Sequence, residues 1–255
     1  MKKPSKSDNI KGISIALLVI ILWGASLIGL LALNATGLPV VLIIPAMLLQ
    51  TFLYTGLFIT AHDAMHRTIF PRSRKINNAI GSLAVKLYAL FSYSKLLEKH
   101  WAHHRNPASR DDPDFHDGQH RDFFRWYFHF MRGYITWRQI LGMAIAFNLF
   151  IYVFNVPTIN LILFWIAPSL LSTVQLFYFG TYLPHRESEA GYKDQHRTRS
   201  NYYGVLWSFL TCYHFGYHWE HHEYPYVPWW RLPAVRRQVS ISSRSPEMPA
   251  SEKRR

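Results

Sequence analysis

The sequence predicts an all-α integral membrane protein: four transmembrane helices as two hairpins, interfacial helices, and a histidine-rich metal cap on the cytoplasmic side. Three observations predict it: two long uncharged runs, a turn signal within each, and tight histidine clusters just beyond them. Residues 12–61 hold no Asp, Glu, Lys or Arg, a run of 50, and 139–184 form a second of 46. One crossing needs roughly 20 apolar residues, so each run holds two.

The N-terminal tail carries Lys2, Lys3, Lys6 and Lys11. The apolar run that follows exceeds the roughly 7–15 residues of a signal-peptide core, so it is expected to stay attached as an anchor. Asn34-Ala-Thr-Gly-Leu-Pro39 breaks the first run and Asn155-Val-Pro157-Thr the second, residue types that favour turns. The expected spans are 12–33 and 39–60, then 139–155 and 159–180, with the third able to begin nearer Tyr134. The stretch 76–97 carries Lys86 and Lys95, so it is expected to lie in the interface, or to dip and return, rather than cross. The aromatic segment 202–217 is too polar to span.

All 28 Lys and Arg lie outside the hairpins, in the N-terminal tail, in 67–138 or in 186–255. Positive charge stays on the cytoplasmic side, which places all three regions and both termini there. The net charge of +13 belongs to this topology, and no nucleic-acid-reading motif accompanies it. Residues 1–235 are read as one domain. The polar segment 236–255 is expected to be a disordered tail. A single cysteine, Cys212, excludes an intrachain disulfide and reads as a small buried residue.

Fourteen histidines are present, eight of them clustered as His62/His66, His100/His103/His104 and His218/His221/His222. Spacings of three and four put side chains on one helix face. Eight imidazoles exceed what one ion takes, so two metals sharing a site are expected. The pair His62/His66 directly continues the second span, and His185 follows the fourth. His116, His120, His129 and His196 are read as ordinary surface or core residues. His214, one turn before His218, is open between extra ligand, partner of a ligand and packing residue. Asp63 and Glu220 either orient imidazoles or are solvated helix charges. Asp-Asp-Pro-Asp at 111–114 reads as a structural turn.

These clusters resemble the membrane-bound, histidine-rich di-iron enzymes, which include fatty acid desaturases and hydroxylases. Finer stretches resemble bacterial and cyanobacterial β-carotene ketolases: HDAMH at 62–66, LYALFSY at 87–93, KHWAHHRNP at 99–107, DDPDF at 111–115, FGTYLPHR at 179–186, CYHFGYHWEHH at 212–222 and VPWWRLP at 227–233. The similarity runs from about 50 to 235. Arg67 stands where that family usually has a small residue.

The resemblance implies that His62, His66, His100, His103, His104, His185, His218, His221 and His222 hold two iron ions in the cap. It further implies O2 as co-substrate and oxidation of C4 of a β-ionone ring to a ketone by two hydroxylations and a dehydration. The membrane would be a bacterial cytoplasmic or thylakoid-type one. No G-x-G-x-x-G occurs in the chain, so neither a bound nicotinamide nor a flavin is expected, and electrons would come from a ferredoxin-like protein. Arg72, Arg74, Lys75, Arg105 and Arg110 either dock that donor or are ordinary positive-inside charges. The apolar substrate would enter from the bilayer between aromatics, with Phe91, Tyr93, Phe177, Phe179, Trp207 and Phe215 as candidates. Trp229 and Trp230 are read as interfacial anchors or part of the ring pocket. The rival readings are a carotenoid 3-hydroxylase, an acyl-lipid desaturase or hydroxylase, and a metal transporter. Against the transporter, no His, Asp or Glu interrupts the apolar runs.

Overall fold

A computed structural model describes residues 6–33, 35–188 and 191–242. The described residues form an all-helical chain without strands. Helix α1 is Lys6–Ala32 and α2 is Val40–Met65. Pro39 stands just before the first residue of α2, a place where its fixed φ and missing N–H cost nothing. Helix α7, Thr158–His185, is preceded by Pro157 and by Asn155 in the left-handed region at φ 53°. Both turn signals therefore fall where the sequence puts them. Asn160 binds the two together: its Nδ2 donates to the carbonyls of Leu30, Leu31 and Leu33, satisfying acceptors that the end of α1 leaves open.

Three helices are long and apolar enough to cross a bilayer: Asn9–Ala32 within α1, α2 and α7. The expected third span is different. Its core is α6, Trp137–Tyr152, only 16 residues, or about 24 Å at 1.5 Å per residue, against a hydrocarbon core near 30 Å. Helix α5, Phe123–Tyr134, precedes it at an angle of 86°. The bend falls at Ile135 and Thr136, whose backbones are extended, and the Thr136 hydroxyl caps α6 by accepting from Gln139 N–H. Only if α5 and α6 count as one broken span does a fourth crossing exist.

Two expected boundaries move. Helices α2 and α7 do not stop at 60 and 180 but run on to Met65 and His185, because the residues there are buried in protein rather than released into water. In α7, turns of π-helix at Ile162–Ile166 and Tyr178–Tyr182 each insert one residue and shift the facing register. The second lies directly before His185.

The stretch 76–97 turns back, as its lysines suggest. Helix α3 is Arg74–Ala89, Leu90 ends it at φ 56°, and α4, Tyr93–Arg105, begins three residues later. Close approach of α3 to α2 rests on Gly81: a Cβ there would overlap the Tyr93 ring and fall 2.7 Å from Ala64 Cβ. Within the bundle, Thr55 of α2 donates to Gln175 Oε1 of α7 at 2.6 Å, and Tyr88 of α3 donates to Ser172 Oγ of α7 at 3.0 Å. Helix α8, Val205–Cys212, joins this network through Gln175 Nε2, which donates to Thr211 O. Such bonds in a bilayer contribute about 0.6–2 kcal/mol each. Cys212 is fully buried, as expected.

Beyond α8 lie α9, His218–Glu223, and α10, Leu232–Ser242. The start of the segment expected to be disordered is thus helix, and residues 243–255 lie outside the described residues. The reason is Arg236, whose Nη1 lies 2.6 Å from Oε1 of the fully buried Glu220. A carboxylate out of water needs a counter-ion, and α10 brings it.

Gly81→Val is expected to force α2 and α3 apart at a cost of about 1–3 kcal/mol. A thermal melt of the detergent-solubilised variant, followed by tryptophan fluorescence, checks this through a lowered midpoint.

Candidate metal centre

The ends of α2 and α7, the body of α4 and the short α9 meet at one end of the bundle, and each brings histidines. His62 and His66 lie at the end of α2, one turn apart. Helix α4 carries His100, His103 and His104, α7 ends in His185, and α9 carries His218, His221 and His222. All nine expected ligands converge, in two groups. One is His62, His66, His100, His104 and His221; the other is His103, His185, His218 and His222. In each, the nitrogens lie within 4.8 Å of one another. Imidazoles bound to one ion at about 2.1 Å place opposite nitrogens about 4.2 Å apart and adjacent ones about 3.0 Å apart, so both groups fit an ion after small shifts of the rings.

Ring nitrogens face each other directly across these groups. The Nε2–Nε2 distances are 2.6 Å for His66 and His100, 3.0 Å for His104 and His221, 3.0 Å for His185 and His218, and 3.2 Å for His103 and His222. Both ring nitrogens of His62 are buried with no hydrogen-bond partner, a costly arrangement that an ion would relieve. Burial first, and neighbouring imidazoles second, hold His100, His104, His218, His221 and His222 well below the ordinary histidine pKa. They are neutral near pH 7, the form that binds metal.

His103 differs. Burial acts against its protonation, but the Asp112 carboxylate outweighs burial and raises its pKa. Nδ1 of His103 lies 3.0 Å from both Asp112 oxygens, so an Nδ1–H donates to the carboxylate and leaves Nε2 free for the shared centre. The Nδ1–H of His185 likewise donates to Arg197 O at 3.1 Å. The Asp-Asp-Pro-Asp run is therefore more than a turn. Asp112 does close the loop, accepting from Ala108 and Asp114 N–H, and it also holds an imidazole. Its position eight residues past His104 was the available signal.

The carboxylates expected to orient imidazoles do something else. Asp63 Oδ1 is 3.8 Å from His62 Nδ1, beyond hydrogen-bond reach, while its Oδ2 accepts from Trp229 N–H at 3.2 Å. Glu220 bonds Arg236 and Ser200. Neither is a solvated helix charge. His214 belongs to neither group; it sits at φ 62° beside Tyr213 at φ 47°, in the tight turn that starts α9, with its ring parallel to Tyr217. His116, His120, His129 and His196 also lie outside both groups. Arg72, Arg74, Lys75, Arg105 and Arg110 are all exposed.

A cavity reaches His62, His100, His103 and His218, so it opens on both groups. Phe91 and Phe215 line it, as expected. Tyr93 packs on Gly81, Phe177 is buried against Trp126 and Phe130, and Phe179 joins the cluster around Cys212. Trp207 is exposed, Trp229 stacks on Phe209, and Trp230 stands edge-on to Trp229. These six face away from the cavity because the sequence does not fix which side of a helix an aromatic turns to. The remaining apolar wall is Phe58, Met65, Leu96, Phe130, Met131 and Leu176. A second cavity lies between α5–α6 and α7 and shares Phe91, Met131 and Thr173 with the first. The two adjoin along these residues, the outer one beside the exposed apolar residues of α6 and the inner one at the histidines, and the pair is termed the apolar slot.

Fold and site define a histidine-rich, membrane-associated metal centre served by an apolar slot. The chain belongs to the fatty acid desaturase family, which it matches over residues 36–139 and 132–244. It is similar to a β-carotene ketolase of Paracoccus sp. (strain PC1), 45% identical over 189 residues, covering 73% of this chain and 76% of that protein. It is 43% identical over 246 residues to a zeaxanthin 4-ketolase of Chlamydomonas reinhardtii, covering 92% of this chain and 55% of that protein. A β-carotene ketolase of Haematococcus lacustris matches at 43% over 192 residues, 73% of this chain and 59% of that protein. The chain thus spans little more than half the length of these algal relatives.

Asp112→Ala is expected to lower metal affinity at the His103 group about 10–100-fold. Titration of the metal-free protein with a divalent metal, followed by equilibrium dialysis, measures it. His214→Phe is expected to leave both the number of bound metals and their affinities unchanged.

Proposed function

We propose that the chain is a carotenoid 4-ketolase that oxidises the ring carbon C4 of β-carotene to a ketone, with two iron ions held by the nine histidines. The observation that carries it is the apolar slot ending on both histidine groups; the ketolase relatives supply the chemistry. The donor set fits iron, since imidazole suits it and the buried, unpartnered nitrogens of His62 need an ion. Bound iron would supply O2 activation, which the side chains cannot provide.

The chain's own residues then do three things. Phe91 and Met131, shared by the two cavities, guide a long polyene and fix how far its ring advances. The apolar walls exclude water, which protects a reactive centre. Asp112 and the Arg197 carbonyl keep the His103 and His185 rings turned inward. Position decides the product, because a shift of about 1 Å changes which C–H is attacked. Two hydroxylations at C4 give a geminal diol, which loses water to the ketone.

Residues 1–235 act as one catalytic domain, extended by the rest of α10, which supplies Arg236 to Glu220. Counting α5–α6 as one broken span gives four crossings in two hairpins, with the histidine end and both termini cytoplasmic, in agreement with the charge distribution. The membrane is a bacterial cytoplasmic or thylakoid-type one. Electrons come from an acidic ferredoxin-like carrier, which the exposed Arg72, Arg74, Lys75, Arg105 and Arg110 attract electrostatically.

Cells that accumulate β-carotene and express the chain are expected to form echinenone and canthaxanthin, resolved by chromatography. A 3-hydroxylated product would instead establish the hydroxylase, and altered lipids with unchanged pigment an acyl-chain enzyme. Met131→Trp, which narrows the junction between the two cavities, is expected to cut ketone formation about tenfold or more, with bound iron unchanged on elemental analysis.

A further inference from the structure

Asp114 supplies the one carboxylate among the described residues that line the inner cavity. Its backbone is fixed on both sides: the N–H donates to Asp112 Oδ1 at 2.9 Å, and the carbonyl accepts from Trp126 Nε1 at 2.9 Å. One side-chain oxygen, Oδ1, accepts from the Tyr134 hydroxyl. The other, Oδ2, makes no hydrogen bond among the described residues and lies 3.8 Å from Nδ1 of His103. An acceptor left open in the wall of a cavity that is apolar apart from its histidines, Tyr134, Thr173 and Thr181 is costly unless a ligand donates to it. Hydrocarbon cannot; an alcohol can.

Resting on the ketolase reading, we propose that Asp114, oriented by Tyr134, accepts a hydrogen bond from the C4 alcohol made in the first oxidation. It thereby holds that alcohol in place for the second. The need arises from the chemistry. The first step converts CH2, O2, two electrons and two protons to CHOH and water. The second spends the same reagents again to give C(OH)2, and loss of water leaves C=O. The reductant in both is the external one-electron carrier protein proposed above. Between the two steps the alcohol is free to slide back along the slot by which the hydrocarbon entered. The open oxygen of Asp114 lies 3.8 Å from Nδ1 of His103, and Asp114 shares the wall of the inner cavity with His62, His100, His103 and His218, within reach of a ring held against both histidine groups. Asp114 is thus a positioning residue, and its effect falls on one step of two.

The test compares wild type with Asp114→Leu and Tyr134→Phe in β-carotene-accumulating cells, reading the ratio of 4-hydroxy to 4-keto product. Asp114→Leu is expected to raise that ratio about tenfold or more, the size of one lost hydrogen bond to a charged group; Tyr134→Phe raises it less. A merely structural role lowers both products together and leaves the ratio unchanged, which would overturn the proposal. Binding to the purified full-length variants, followed by quenching of tryptophan fluorescence, needs no turnover and covers an inactive variant. The Kd for 4-hydroxy-β-carotene is expected to rise in Asp114→Leu while that for β-carotene holds; equal weakening of both overturns the proposal. Wild-type cells that form no C4-oxygenated product would sink the ketolase reading itself, a result separate from either variant comparison.

Discussion

Nine imidazoles turned toward one another and largely taken out of water carry a cost that bound cations would relieve, and that constraint organises the end of the bundle where they meet. Nitrogens 2.6–3.2 Å apart across the two groups are taken out of water at a cost and face one another without enough protons to bond them all. Helix α2 therefore runs to Met65 to deliver His62 and His66, and α7 runs to His185. The α3–α4 pair has to return, because His100 must meet His66. Helix α9 is short because two left-handed residues, Tyr213 and His214, have just turned the chain toward the others. Asp112 and the Arg197 carbonyl complete the arrangement from behind, taking Nδ1–H so that Nε2 points inward.

The two HxxHH boxes carry a rule that the spacing alone leaves hidden. In α4, the i and i+4 histidines, His100 and His104, join one group, and His103 joins the other. In α9 the sense is reversed: His218 and His222 join the second group and His221 the first. Adjacent residues stand about 100° apart around a helix, so each His-His doublet straddles two centres. The pair one turn apart shares a face. One helix turn thus contributes to both groups, and each box bridges them.

The metal centre was far more legible in the sequence than the substrate path. Histidines at helical spacing, uncharged runs and Pro/Asn breaks are local signals, and each reappears in the structure: the nine converging histidines, the turns before Val40 and Thr158, the returning stretch 76–97. The cavity wall is a tertiary product. Met131, Tyr134 and Phe130 reach it only because the chain bends by 86° between α5 and α6, and the apolar run there reads as one ordinary span. Arg236 was hidden for a similar reason. Its partner Glu220 lies 16 residues back in a histidine box, and composition cannot tell a tail from a helix that carries a buried counter-ion.

That bend also separates what this fold shares from what makes it selective. On the proposed ketolase reading, the histidine groups would supply the oxidation, and the choice among C–H bonds would fall to the walls that limit approach. Had α5 and α6 formed one straight crossing, the slot beside α7 would be filled by the helix itself. Bending instead lays α5 against Phe177 of α7, while Phe147 and Phe150 of α6, at 86° to α5, pack on Trp165, also of α7. The space between is what Phe91, Met131 and Thr173 line. A short α6 is therefore the counterpart of the slot: the residues missing from a full crossing are those spent on turning α5 across the mouth of the metal centre.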